Sequence, residues 1–478
     1  MSPDFAFTGF AIDHRRVAPG DVFGAFAGAK VDGESFIAAA VAKGAVAVVA
    51  RPEAQVLGAE HIADAEPRRA FAQMAAQFYQ PVPSVMVAVT GTNGKTSVVE
   101  MLRQLWAFAG HKAASIGTLG IISGETTLPT GLTSPDIVTF LSNLAGLAKQ
   151  GVTHAAYEAS SHGLAQYRCE GPRVMAGAFT NLSRDHLDYH GTMEDYFAAK
   201  LRLFDQVVAE DGTAVVWADD AWSAKVCDAA RQRGLRLITV GEAGETIRLL
   251  HRQPTALGQT LTIRLSGQQH SINLPLIGAY QAANALVAAG LAMVSGGDER
   301  EVLAGLERLQ PVRGRLELAV MTPSGAPVYI DYAHTPDGLA AAIAALRPHT
   351  IGRLITVMGA GGDRDSGKRP LMGRIASEQA DIVIVTDDNP RGEDPARIRS
   401  AVLAGASVAK NGATTISEIA DRRAAIAAAI SAAGTGDVVL IAGKGHEQGQ
   451  IIGAGEAMRV LPFDDSLVAR ECAGDLAT

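Results

Sequence analysis

The chain has 478 residues, too many for one hydrophobic core, and its length predicts about three domains. Hydrophobic residues make up 47% and charged residues 19%, a globular composition, while the 5% aromatic content argues against an aromatic-lined nucleic-acid groove. A formal net charge of −8 argues against broad attraction to nucleic acid or an anionic membrane, but leaves room for a local basic pocket for one anionic metabolite.

In chain order, Met1-Ser-Pro-Asp-Phe5 lacks a basic stretch followed by an apolar core, so no secretion signal is expected. The scattered Cys169, Cys227 and Cys472 fit neither a disulfide framework nor a zinc ribbon. With apolar runs such as Ala285 to Val294 too short to span a bilayer, the expectation is a soluble cytoplasmic protein without membrane insertion. A helical stretch from Pro67 to Tyr79 ends at Gln80-Pro-Val-Pro83, and a second, Glu299 to Leu309, ends at Gln310-Pro311. Proline disfavours helix at the residue before it, which sets domains at 1–82, 83–311 and 312–478.

Val85 to Val89 reads as a buried strand and Thr96 to Phe108 as a helix, with Gly91-Thr92-Asn93-Gly94-Lys95-Thr96-Ser97 between them. Glycines let several N–H groups turn toward one anion, a lysine neutralises β/γ-phosphate charge, and a threonine hydroxyl can ligate Mg²⁺. Two residues rather than four separate the glycines, so the common nucleotide-loop pattern is not met. Beyond residue 311, Leu354 to Met358, Asp381 to Val385 and Val438 to Ile441 read as strands. Each runs into a polar turn: Gly359-Ala-Gly-Gly-Asp-Arg364, Thr386-Asp-Asp-Asn-Pro-Arg391 and Ala442-Gly-Lys-Gly-His-Glu447. Parallel α/β sheets bind ligands at the carboxyl ends of their strands, so three such turns predict one composite site.

The short loop Gly91-Thr-Asn-Gly-Lys-Thr96 resembles that of the Mur ligases and folylpolyglutamate synthases. Tyr157-Glu-Ala-Ser-Ser-His-Gly-Leu-Ala-Gln-Tyr-Arg168, Thr180-Asn-Leu-Ser-Arg-Asp-His-Leu-Asp-Tyr-His-Gly191, Asp331-Tyr-Ala-His-Thr-Pro336, Gly361-Gly-Asp-Arg-Asp365, Asp388-Asn-Pro-Arg391 and Gly443-Lys-Gly-His-Glu447 are similar to the MurE branch. The resemblance implies an α/β protein of three domains. These are a smaller N-terminal α/β domain for a UDP-linked substrate, a central P-loop-type, mostly parallel sheet for ATP, and a C-terminal doubly wound domain for the amino acid.

It also implies an ATP-dependent, amide-forming ligase that adds meso-2,6-diaminopimelate to the D-glutamate side-chain carboxylate of UDP-MurNAc-L-Ala-D-Glu through an acyl phosphate, in peptidoglycan precursor synthesis. The catalytic residues so implied are Lys95, Glu158, His186 and Lys200. Thr96, Glu158, His186 and a carboxylated Lys200 (N6-carboxylysine) would hold Mg²⁺. Read from composition alone, Lys200 is a solvated helix lysine. Asn284, Arg315 and Asp331 are implied at the adenosine end of ATP. The chain departs from the usual Gly-x-Phe-Asn-x-x-Asn at Gly278-Ala-Tyr-Gln-Ala-Ala-Asn284, which opens the question of what Gln281 does.

Thr133, Ser134, Ser160, Gln166 and Arg168 are implied around the acceptor dipeptide, with Ile12, His14 and Lys30 near the uridine. For the added amino acid the resemblance implies Arg364, Asp388, Asn389, Pro390, Arg391, Gly443 and Glu447. Diaminopimelate differs from lysine by one extra carboxylate, which Arg391 and Arg364 suit by charge-assisted bonds. Lysine would leave that arginine site unpaired.

Overall fold

The computed structural model describes residues 6–28, 31–129, 131, 133–255, 258–408 and 414–475. The expected α/β architecture is present as three main sheets along the chain. The first is four-stranded and parallel, with Gly9–Ala11, Asp21–Gly24, Ala47–Ala50 and Glu60–Ala63 side by side in sequence order. Helix Pro67–Phe78 covers it, presenting Phe71, Ala72, Ala75 and Ala76 at helical spacing to the core. Phe71 meets Phe10 edge to face at 5.2 Å.

The second sheet has eleven strands. Its middle is parallel, and Val85–Thr90 lies there between Val174–Phe179 and His154–Glu158. The residues of Val85–Thr90 are almost wholly buried, as its β-branched run requires of a strand covered on both faces. Antiparallel strands finish both edges: Gly258–Leu265 and Gln268–Leu274 on one, Gly120–Ser123 and Thr126–Leu128 on the other. Helix Lys95–Phe108 follows the central strand and buries Val98, Met101, Leu102 and Leu105. It packs against helix Ala279–Val294, whose alanines allow close approach.

The third sheet has six strands in the order Arg315–Met321, Pro327–Asp331, Val438–Ala442, Leu354–Met358, Ile382–Val385 and Thr415–Glu418. All neighbouring pairs except the first are parallel. The three strands expected to end in loaded turns are therefore adjacent and point the same way.

One element end differs from expectation for a tertiary reason. Helix Glu299–Leu306 stops before Leu309 because Gln310 turns to exchange hydrogen bonds with Gln104, its N–H donating to Gln104 Oε1 at 2.8 Å. The helix carrying Lys200 is Met193–Arg202 and passes into a π turn at Leu203–Val207. Among the described residues, no helix is long and apolar enough to cross a membrane.

Candidate active site

The loop after Val85–Thr90 requires its two glycines. Gly91 and Gly94 have φ of +143° and +89°, where side-chain-bearing residues are strained. A Cβ on Gly91 would strike Thr180 Oγ1, and one on Gly94 would strike Asn284 Oδ1. The loop is laced to the end of the neighbouring strand: Thr92 and Asn93 N–H donate to the backbone and side-chain oxygens of Asn181, both at 2.9 Å. Thr180 Oγ1 donates to Asn93 O at 2.6 Å. Helix Lys95–Phe108 starts immediately after, so first-turn N–H groups and the positive end of its dipole face the loop's concavity. Lys95 folds back over it, Nζ donating to Gly91 O at 2.9 Å and Thr92 O at 2.8 Å. Such a cradle of N–H groups and a lysine at a helix start suits a phosphate.

Beside the cradle, Thr96 Oγ1 donates to Glu158 Oε1 at 2.9 Å. Glu158 ends its strand with 2% of its surface exposed and also accepts from Thr118 N at 2.7 Å. Lys200 is 1% exposed, and its Nζ donates to Gly91 O at 2.8 Å. Burial first, and the charge of Lys95 second, push its pKa well below the usual lysine range. A carboxylate and a hydroxyl are hard oxygen donors, the set that fits Mg²⁺ when a nucleotide's phosphates complete its shell. Among the described residues no three His, Cys, Asp or Glu side chains converge on one metal position, so a bound ion would depend on that contribution from the nucleotide.

A cavity of about 350 Å³ opens from the cradle toward the third sheet, lined by Asn93, Gly94, Ser97, Asn284, Arg315 and Asp331 together with Tyr280 and Tyr332. The departure at Gln281 has a role. This residue, 1% exposed, donates Nε2 to Arg315 O at 3.0 Å and accepts from Asn284 Nδ2 at 3.2 Å. Tyr280 donates its hydroxyl to Asp331 Oδ2 at 3.1 Å. Arg315 lies over the Tyr332 ring at 4.6 Å and donates Nη2 to Thr96 Oγ1 at 3.0 Å, bridging the second and third sheets.

A second cavity of about 420 Å³ lies on the other side of that bridge. Thr133, Ser134, Ser160, Arg168 and His186 line its face on the second sheet; Arg364, Asp388, Asn389, Arg391, Gly443 and Glu447 line its face on the third. Ser134 and Ser160 hydroxyls meet at 2.9 Å, and Ser134 donates to Glu158 O at 3.0 Å, so this wall is built onto the Glu158 strand end. Gln166 steadies Arg168 from the side, accepting its Nε at 3.1 Å. His186 stands beside Asp185 at 3.5 Å and edge-on to His162. Burial pushes its pKa down.

On the opposite wall, Arg391 has φ of +50° and anchors its backbone to the hairpin Gly449–Ile452/Arg459–Pro462, N–H donating to Ile451 O at 3.0 Å. Its guanidinium donates to Gly362 O at 2.9 Å, and burial with the nearby Arg364 charge lowers its pKa. Glu447 Oε2 accepts from Asn389 Nδ2 at 2.7 Å and from Lys444 Nζ at 3.0 Å. Pro390 O accepts from Glu393 N at 3.1 Å, which closes the turn. The cavity thus has a cationic region and an anionic region on one wall.

Ile12 and His14 line a separate cavity of about 500 Å³ beside the first sheet, where the His14 ring stacks on Phe36 at 4.2 Å. Lys30 falls outside the described residues.

Three models of one family match along the chain: Mur ligase family, catalytic domain, over 6–85; Mur ligase middle domain over 89–292; and Mur ligase, glutamate ligase domain, over 314–445. A protein of Zymomonas mobilis subsp. mobilis named UDP-N-acetylmuramoyl-L-alanyl-D-glutamate--2,6-diaminopimelate ligase is 61% identical over 98% of this chain and 95% of its own. One of the same name from Bradyrhizobium diazoefficiens is 52% identical over 96% and 93%. The chain belongs to the Mur ligase family. A solved structure titled with that same ligase name superposes with a TM-score of 0.71 at 33% identity, covering 99% of this chain and 96% of the other.

Within this Mur ligase, several site groups had no sequence signal strong enough to single them out. Lys368, 7% exposed and lowered in pKa chiefly by burial, lines the cavity of about 420 Å³ with Tyr332 and His334. Lys444, 0% exposed, lies within the quoted Gly443-Lys-Gly-His-Glu447 turn but reads there as a loop lysine. Only the folded chain shows that it joins two turns, Nζ also donating to Asn389 Oδ1 at 3.0 Å.

Proposed function

We propose that this Mur ligase uses ATP to join meso-2,6-diaminopimelate to the D-glutamate side-chain carboxylate of UDP-MurNAc-L-Ala-D-Glu, a step of peptidoglycan precursor synthesis carried out in the cytoplasm. The observation that carries the reading is the wall on which Arg391 and Arg364 stand near Glu447 and Asn389. An amino acid with a second carboxylate and a second ammonium group at the end of its side chain matches both charges; lysine matches one. The domain boundaries 1–82, 83–311 and 312–478 go with this reading.

The chemistry follows from the neighbours of each group. The γ-phosphoryl of ATP passes to the D-glutamate carboxylate, forming an acyl phosphate and ADP. The amine of diaminopimelate attacks that acyl carbon, phosphate leaves, and an amide remains. No side chain need act as a nucleophile; the work is to hold anions together in line. Lys95 and the first turn of its helix grip the phosphates. Asn284, Arg315 and Asp331 orient the adenosine end, with Gln281 and Tyr280 holding them in place. Ser134, Ser160 and Arg168 hold the acceptor dipeptide. Ile12, His14 and Lys30 are assigned to the uridine.

Thr96, Glu158, His186 and Lys200, the last carboxylated on Nζ, are the residues that would hold Mg²⁺. With one ion at Thr96 and Glu158 and a second at His186, Mg²⁺ would supply charge neutralisation for the phosphates and the carboxylate. Burial and the neighbouring Lys95 charge lower the Lys200 pKa, and an uncharged amine is the form that takes up CO₂, which supports the carboxylated state.

The test is phosphate release from ATP with UDP-MurNAc-L-Ala-D-Glu and Mg²⁺, offering meso-diaminopimelate, lysine or glutamate in turn. Release that depends on diaminopimelate is expected. Equal release with lysine, or release that depends on glutamate, would refute the assignment.

A further inference from the structure

Arg422 heads the fully buried side chains by size, and no step above uses it. It opens helix Arg422–Ala432, and its partner Asp465 opens helix Asp465–Ala473; both are 0% exposed. The pair is bidentate, Nε to Oδ1 at 2.7 Å and Nη2 to Oδ2 at 2.6 Å. The guanidinium also donates to two backbone carbonyls, Nη2 to Ala442 O at 3.0 Å and Nη1 to Asp387 O at 3.4 Å. Ala442 immediately precedes Gly443, and Asp387 immediately precedes Asp388. One planar cation therefore ties together the chain segments from which both charged turns of the Arg391–Glu447 cavity spring.

A buried ion pair is a poor route to stability, since the cost of removing two charges from water offsets most of their attraction. What a rigid fork supplies is a fixed separation between the groups it bonds. Lys444 makes a second tie between the same two turns, through Asn389 and Glu447.

We propose that the Arg422–Asp465 pair is a positioning device for amino-acid selection: it sets the spacing between the Arg391 turn and the Glu447 turn and makes the last helix of the fold a support of the pocket. This deepens the function proposed above and rests on its reading of those turns as the diaminopimelate site.

A control pair exists in the same sheet. Arg353 and Asp437 precede strands Leu354–Met358 and Val438–Ala442, bonding at 2.6 Å at the amino ends, away from the turns. The experiment compares Arg422→Lys, Asp465→Glu, Arg353→Lys and Arg391→Ala in the full chain. It reads the KM values for diaminopimelate, ATP and UDP-MurNAc-L-Ala-D-Glu, the preference for diaminopimelate over lysine, and the melting midpoint. Arg422→Lys and Asp465→Glu should each raise the diaminopimelate KM about tenfold and narrow the preference, with the other two KM values within about twofold. Arg353→Lys should lower the melting midpoint without moving any KM.

Unchanged diaminopimelate KM in a folded Arg422→Lys or Asp465→Glu protein overturns the positioning role, as does a parallel rise of all three KM values. Asp465→Glu keeps the charge and supplies the answer if Arg422→Lys does not fold. Unimpaired diaminopimelate use by Arg391→Ala would instead remove the pocket reading itself.

Discussion

Lys95 and Lys200 donate to the same oxygen, the carbonyl of Gly91, at 2.9 and 2.8 Å. Two ammonium groups this close repel, and burial lowers the pKa of both. Burial and the Lys95 charge drive the Lys200 pKa well down, opposed only by Asp185, while the Tyr196 ring stands 4.4 Å from its Nζ. The Lys95 charge thus adds to burial in lowering the Lys200 pKa, the direction that the carboxylation proposed above requires.

Lys200→Ala is expected to lower turnover about a thousandfold while leaving nucleotide binding measurable, because on the proposed role the change removes a group that acts on transferring charge. On the carboxylated state proposed for Lys200, a small carboxylic acid added to the variant should restore part of the phosphate release by standing in for that carboxylate. Wild-type turnover in Lys200→Ala would remove the assigned role.

Arg391→Ala should lower kcat/KM for diaminopimelate about a hundredfold, the scale of an unpaired carboxylate in a partly buried site, equivalent to about 3 kcal/mol. The KM for ATP should stay within about twofold, since Arg391 lines the other cavity. Steady-state kinetics with each substrate varied in turn decides it. Equal losses for both substrates would make Arg391 a structural residue.

Much of this site was legible as strand-to-turn junctions. The loop at Gly91 and the turns at Arg364, Asp388 and Glu447 each follow an apolar run, and parallel pairing brings the latter three to one edge. What local pattern could not convey was partnership over long distances in the chain. Lys200 lies 109 positions from the carbonyl it bonds, and Arg422 lies 43 from Asp465. Both look like ordinary helix cations until burial is known. Gln281 broke the expected pattern, and only the folded chain shows its amide spanning Asn284 and Arg315.

Gln281→Leu keeps the volume and removes both hydrogen bonds. Leaving Arg315 O and the Asn284 amide unpaired in a buried site costs about 1–3 kcal/mol. Calorimetric titration with a non-hydrolysable ATP analogue should show affinity weakened by about tenfold or more, with the KM for diaminopimelate unchanged. Unaltered nucleotide affinity would mean that Gln281 merely fills space.

The Arg353–Asp437 pair gives a pH-dependent contribution with a definite sign. Burial works against the charge on Asp437, but the Arg353 side chain and the N–H groups of Arg353 and Gly434 outweigh it and hold the carboxyl at about 2, against 3.8 when unconstrained. A depressed carboxylate pKa stabilises the folded state above the unfolded value and loses that effect as pH falls through the folded value. The contribution, about 2 kcal/mol, should therefore be complete above about pH 5 and vanish between about pH 4 and pH 2. Asp437→Asn should lower the melting midpoint by a constant amount from pH 7 to pH 5. Below pH 4 the wild-type curve should approach that of the variant, because protonation then removes the same charge. A gap that stays constant down to pH 3 would show that shape and hydrogen bonding, rather than ionisation, hold this end of the sheet.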